Sequence, residues 1–533
     1  MRKTTLKNYK ISILIVPFII IAILSALLLA IPEGTSNVIL KIKEFLTQKL
    51  GIFYLLYGVG FVVIAIYLAF SKIGKIKLGE SDKKPLSNLA WGSLIFTSTM
   101  AADILFYALH EWTYYYSLQP LDTVGSTANQ SMTWASSYPL FHWGITPWIF
   151  YIVPAVAYAF MFYVKKRSNQ RISEACRPLL GKYTDKVPGT IIDIIAVLGL
   201  LLGTSTTFSV ATPLITAAFC KIIGVAPTNW ITVIVLLSIA SIYTIGVIGG
   251  FKSIDIISKI AVVIVSVMLA LFFIVGNPRF ILESGLEGIG YMLNNFLRMS
   301  TWTDPARATN IPQDWTIFYW SYWIAWAVAT PLFIAKISKG KTIKQLVLGG
   351  TLAGLLGTFT SFIILGGTGL NAQVSGSVDV IGMVNSGASP ASVIVEIIMS
   401  LPLNYLLLAL LVISMILLYA TTFDTIAHTM ASYMTKKIGL DEEPTKGAKL
   451  FWSFVFIILP IALIFSDSTS QGLQAMSIIG AFPLAIIFIL VVISFFKQLK
   501  DDKKNLNDIQ CEPYEIQSTN SNDSMLESEV KQK

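Results

Sequence analysis

The sequence predicts an all-α polytopic membrane protein with twelve transmembrane helices, and three observations carry that expectation. Of 533 residues, 54% are hydrophobic and 13% charged. With a mean hydropathy of +0.69, the chain is too apolar for a water-soluble protein of this size. Twelve segments are long and apolar enough to span, at about 11–31, 51–71, 88–116, 139–164, 189–218, 228–250, 254–276, 314–338, 344–369, 400–434, 449–466 and 473–497. Basic residues recur in every second loop, the pattern of a chain that weaves across a bilayer.

The first apolar run, 11–31, continues into charged loop and further spans without a small-residue cleavage site. It therefore reads as a retained helix and not as a signal peptide. Lys72, Lys75, Lys77, Lys83 and Lys84 follow the second span. Lys165, Lys166, Arg167, Arg171, Arg177, Lys182 and Lys186 follow the fourth, and Lys336, Lys339, Lys341 and Lys344 surround the end of the eighth. The loop 117–138 has no Lys or Arg. The positive-inside rule then places both termini in the cytoplasm, with residues 1–10 as a short tail in front of the first span. Because the net charge of +9 is spread over these loops, it does not form a patch that would bind nucleic acid. Cys176 and Cys511 fall on the expected cytoplasmic side and Cys220 near the outer end of the fifth span, so no disulfide framework is expected. The longest stretches outside the spans are 277–313, 370–399 and a polar, mixed-charge tail, 498–533, whose composition reads as disordered.

Several spans carry residues that a plain anchor would not need. Gly199, Gly203 and Pro213 punctuate the fifth, Gly144, Pro147 and Pro154 the fourth, and Pro331 the eighth. Broken or closely packed helices at membrane depth line cavities, which points to a transport pathway.

Asp103, in "STMAADILFY", is costly in a spanning helix, by about 2.5–3.5 kcal/mol at its centre. It shares a helical face with Tyr107, His110 and Tyr114. In the eighth span, steps of three or four residues from Tyr319 reach Trp323, Trp326 and Thr330, an aromatic ladder deeper than interfacial anchors such as Trp315 and Trp320. Trp143, Trp148 and Tyr151 form a second aromatic group beside Gly144 and Pro147. Two such groups in one chain suit a quaternary ammonium ion, which aromatic faces hold by cation–π attraction and which offers no N–H to an acceptor. In the tenth span, "YATTFDTIAHTM" places the hydroxyls of Thr421 and Thr422 as candidate oxygen ligands for a hard cation, and Asp424 one turn from His428. Asp103 with His110, or Asp424 with His428, are candidates for a proton relay. No His has a metal-ligand spacing, no nucleophile–base set is visible at depth and no filter sequence repeats. An intramembrane enzyme, a channel, a resident metal and a cofactor are accordingly not expected; coupling to Na+ or H+ is.

These residues resemble the betaine/carnitine/choline transporter family. The run "DWTIFYWSYWIAWAVATPLFIAKISKGKTIKQ" is similar to the family signature, a Trp-rich helix followed by a short basic loop with an I-S-[KR]-G-[KR] core, and "FHWGITPW", "TDPAR" and "ATPLITAAF" also match. The resemblance, over about 11–497, implies two leading helices (11–87) and two inverted five-helix repeats, 88–276 and 314–497, in the LeuT-like arrangement. It implies a substrate box drawn from Tyr114, Trp143, Trp148, Tyr151, Trp323 and Trp326, with Tyr322 keeping an aromatic face where many members show a Trp pair. It also implies a homotrimer in membrane lipid. Where many betaine carriers have G-M-G-I-G, this chain reads Thr99, Met100, Ala101, Ala102 and Asp103, a turn expected to unwind less easily. The acid there resembles the choline-type members, and choline, a bare cation, needs a counter-charge that carnitine and glycine betaine bring themselves. "HEWTYYYS" is instead similar to carnitine/γ-butyrobetaine exchangers, in which a basic side chain in the seventh span replaces the coupling sodium; Lys259 is the candidate here.

Overall fold

A computed structural model describes residues 8–79, 86–98, 101–118, 128–249, 251–440, 442–466 and 470–510. Lys83, Lys84, Thr99, Met100 and Cys511 lie outside the described residues. Among those described, ten helices are long and apolar enough to cross a membrane, and two bent pairs complete twelve spans. No strand is present among them, only the isolated bridges Tyr9–Thr435 and Lys77–Thr342.

The two leading spans are Ile11–Ala30 and Gly51–Phe70. The third is broken: Asn88–Ser98 and Ala102–Ser117 meet at 69°. The fourth runs over Gln130–Val164, the fifth over Val187–Ile223, the sixth over Asn229–Gly249 and the seventh over Phe251–Val275. The eighth is again broken, Pro312–Trp326 meeting Thr330–Ile337 at 55°. The ninth to twelfth are Ile343–Val374, Asn404–Met434, Lys446–Phe465 and Ser470–Gln510. Two leading helices are thus followed by two sets of five, each opening on a broken helix. Because five is odd, the second set enters the membrane from the opposite side to the first and runs inverted to it.

Several expectations need correction. The third span is interrupted between Ser98 and Ala102 although the glycines of the G-M-G-I-G turn are missing there. Asp103 lies in the first turn of the helix that restarts there, where a carboxylate complements the positive end of the helix dipole. The fifth span, by contrast, is one unbroken helix. Gly203 is needed there for packing, since a Cβ on it would come within 2.6 Å of the Ala325 Cβ. The expected loop 117–138 is helical from Ala128 onward, and the stretch 277–313 holds the helices Pro278–Asn294 and Phe296–Thr301. The last helix runs beyond 497 to Gln510, with no Gly or Pro to stop it before Pro513.

The fifth span packs against the tenth, eleventh and twelfth and against the halves Ala102–His110 and Ile317–Trp326 of the broken spans. Tyr9, Lys10 and Gln498 meet the face of the basic loops. Lys10 N donates to Met434 O at 2.7 Å and Tyr9 Oη pairs with Thr445 Oγ1 at 2.7 Å. Arg167 donates to Gln498 Oε1 at 3.3 Å.

On this basic face the loop Lys336–Lys344 is stitched down. Leu78 N donates to Lys341 O and Gly340 N to Leu78 O, each at 2.8 Å. Gly340 takes φ +83°, a conformation that favours glycine. Trp91 Nε1 donates to Ser338 Oγ at 3.0 Å, and Lys341 Nζ donates to Leu86 O at 2.8 Å and Asn88 Oδ1 at 2.7 Å. The halves Asn88–Ser98 and Thr330–Ile337 are therefore cross-tied at their basic ends. Lys341→Ala should lower stability by about 1.5–3 kcal/mol, the worth of hydrogen bonds from a charged donor. A reduced thermal midpoint of the detergent-solubilised protein checks this; an unchanged midpoint contradicts it.

Candidate functional site

Where the two broken spans bend, the sequence leaves backbone and side chains facing a cavity of about 480 Å³. Asp103, Trp143, Trp148, Tyr151, Tyr322, Trp323 and Trp326 all line it. The break at Ala327–Ala329 follows Trp326, and Pro331 sits in the first turn of the next helix, where its missing N–H costs nothing. The regular helix of the fourth span is interrupted at Trp143–Gly144, between Ala128–His142 and Ile145–Ala159.

The walls are aromatic and mutually braced. Ring centroids of Trp323 lie 4.7 Å from Tyr151, 5.3 Å from Trp148 and 5.5 Å from Trp143. Trp148 packs over Gly354, where any Cβ would overlap its ring. Trp323 and Trp326 each have a buried Nε1 without a partner.

Asp103 is 4% exposed. Tyr322 Oη donates to its Oδ2 and is also hydrogen-bonded to Thr207 Oγ1 of the fifth span. Its Oδ1 is buried without a partner, and no basic side chain pairs with it among the described residues. A carboxylate at this depth without a basic partner is complementary to a cation, and aromatic rings attract a cation to their faces.

Farther toward the basic face the same cavity meets Thr421, Thr422, Asp424 and His428, then Lys336 and Gln170. Thr421 Oγ1 donates to Leu418 O at 2.9 Å within its own helix. Asp424 is paired with Lys449 at 3.3 Å, and His428 Nε2 is buried without a partner. No hydrogen bond joins Asp424 to His428, and no metal-ligating cluster occurs, among the described residues.

Three predicted residues lie elsewhere. Tyr114 lines a separate cavity of about 220 Å³ toward the opposite face, and stacks on Trp315 at 3.8 Å. His110 is buried beside Tyr114, its Nδ1 without a partner and its ring off both cavities. Lys259 is exposed on the seventh span, where its neighbour Ser258 lines the cavity instead. Between the two cavities stands Tyr107, at 5.5 Å from Trp143 and 6.2 Å from Tyr322. Glu111 and His142, both fully buried behind the aromatic wall, were not singled out from sequence. Their signal was present, since each directly adjoins a motif residue in "HEW" and "FHW".

A family model described as the betaine/carnitine/choline family transporter matches residues 12–504. An uncharacterized transporter of Escherichia coli, YeaV, is 27% identical over 455 residues, 85% of this chain and 93% of that protein. A carnitine transporter of Acinetobacter baumannii is 25% identical over 84% of this chain and 81% of its own length. The glycine betaine transporter OpuD of Bacillus subtilis is 27% identical over 92% and 95% respectively.

Gly354→Ala should drive a methyl group into Trp148 and destabilise the protein by about 1–3 kcal/mol, the cost of overpacking. Thermal unfolding with a shift in tryptophan emission checks it; a wild-type midpoint and spectrum would show that the Trp148 seat is loose.

Proposed function

The chain belongs to the betaine/carnitine/choline family of membrane transporters, which carry small quaternary ammonium compounds, and from that premise we propose that it is a secondary transporter favouring choline. The observation that carries the choice is Asp103, a buried acid without a basic partner among the described residues that lines a cavity together with Trp143, Trp148, Tyr151, Tyr322, Trp323 and Trp326. In this reading the trimethylammonium group sits among the indole faces and Asp103 supplies the counter-charge. A zwitterion would bring a carboxylate toward that acid. Carnitine, γ-butyrobetaine or glycine betaine is the second reading, favoured by what the named relatives carry.

The cavity reaches the basic face at Lys336 and Gln170, while Tyr107 and the Tyr114–Trp315 stack lie on its other side. With the basic loops in the cytoplasm by the positive-inside rule, both termini are cytoplasmic and the conformation is open inward. Transport then proceeds by alternating access. With Lys259 off the cavity, the hydroxyls of Thr421 and Thr422 are left as oxygen ligands for a coupling sodium. Lys449 already neutralises Asp424, which weighs against a proton relay through His428.

Two measurements test these assignments. Titration of the purified protein with choline should show Asp103→Ala weakening binding by about 30-fold or more, since a desolvated charge loses its partner. Undiminished choline binding in the variant, or carnitine or betaine binding that exceeds choline in wild type, moves the substrate to the zwitterions. In proteoliposomes a sodium gradient should drive uptake, and Thr421→Ala/Thr422→Ala should abolish that dependence. Equal uptake without sodium removes the two hydroxyls from coupling.

A further inference from the structure

Directly behind the aromatic cavity lies a second buried carboxylate. Glu111 occupies the turn between Ala102–His110 and Trp112–Leu118 and is fully buried. Its Oε2 accepts a hydrogen bond from Trp143 Nε1 at 2.6 Å. Its Oε1 accepts from Tyr115 Oη at 3.0 Å and lies 3.2 Å from His142 Nδ1. Tyr115 Oη and His142 Nδ1 are 2.8 Å apart, and His142 Nε2 pairs with Thr316 Oγ1 at 2.9 Å. The group joins the third, fourth and eighth spans. Neither Glu111 nor His142 borders the cavity.

Burying a carboxylate here is expensive, so its contacts must offset the cost. The shortest is the one to Trp143, which engages the single donor an indole possesses. The other rings of the wall are held differently. Trp148 Nε1 reaches only Thr358 Oγ1, at 3.4 Å, and those of Trp323 and Trp326 have no partner. Trp143 is therefore the ring whose plane is set by a short bond to a buried carboxyl, and it braces Trp323 at 5.5 Å and Phe362 at 5.1 Å.

We propose that Glu111 is a positioning residue for the substrate site. Through Trp143 it fixes the wall against which the ammonium group rests, and His142 ties this acceptor to Thr316 at the start of the eighth span. The inference rests on the reading that the aromatic cavity binds a quaternary ammonium ion.

The test titrates the full-length protein with choline, glycine betaine and carnitine by calorimetry, using the compound that binds wild type best. Glu111→Ala leaves the Trp143 N–H without its acceptor and should weaken binding about tenfold. Glu111→Gln keeps an acceptor oxygen and should restore affinity to within about threefold. Trp143→Phe keeps a ring but removes the donor; it should weaken binding, and adding Glu111→Ala should then cost little more. Wild-type affinity in Glu111→Ala, or fully additive losses in the double variant, overturns the inference. Should Glu111→Ala not fold, Trp143→Phe beside Glu111→Gln decides, and Trp143→Phe at wild-type affinity overturns it. Trp323→Ala separates the two readings. Binding lost there but intact in Glu111→Ala and Trp143→Phe rejects only the positioning role. Binding unchanged in all three rejects the cavity as the substrate site and this role with it.

Discussion

The hydrogen bond from Tyr322 to Asp103 joins the two broken spans close to their breaks. Tyr322 also holds Thr207, and Tyr419 of the tenth span donates to Thr207 O at 3.1 Å. Four spans thus converge on one acid. A carboxylate in a bilayer interior is tolerated only when its charge is answered. Tyr322 answers one oxygen, and the other has no hydrogen-bond partner in a residue that lines the aromatic cavity. A costly buried group and the proposed counter-charge are thus the same carboxyl.

Packing around that point suggests how occupancy and motion are linked. On the basic side, Ser338 and Lys341 tie the half-helices of the third and eighth spans into one piece. On the other side, Tyr114 lies on Trp315, while their chain neighbours Tyr115 and Thr316 both hold His142. Each broken span thus has one half committed to the basic-face clamp and the other to a buried polar cluster, with the cavity between. Hinging at the two breaks is the motion such a construction allows.

Much of this was legible in the sequence. Apolar length and loop charge predict twelve spans, and Asp103, Trp143, Trp148, Tyr151, Tyr322, Trp323 and Trp326 do meet in one cavity. Tyr114 is placed differently from the other aromatic candidates: eleven residues from Asp103, about 16 Å along a helix, it lines the opposite cavity. The break near Asp103 has no glycine-rich turn to mark it in the sequence, and an acid at a helix start stands there instead. Glu111 and His142 escaped because their meaning lies in a contact between residues thirty-one apart, which no local pattern displays. Lys259 depends on which face of the seventh span turns inward, and the nearly continuous apolar run that follows it, 260–275, leaves that face undetermined.

The most direct test of the central claim is a structure of the protein with choline bound, solved by electron cryo-microscopy in lipid. The ammonium group should lie within about 6 Å of the Trp323 ring centroid, with the Asp103 carboxylate turned toward it. Choline seated at another place, or held in this cavity with Asp103 still engaged only by Tyr322 and facing away, would contradict the claim.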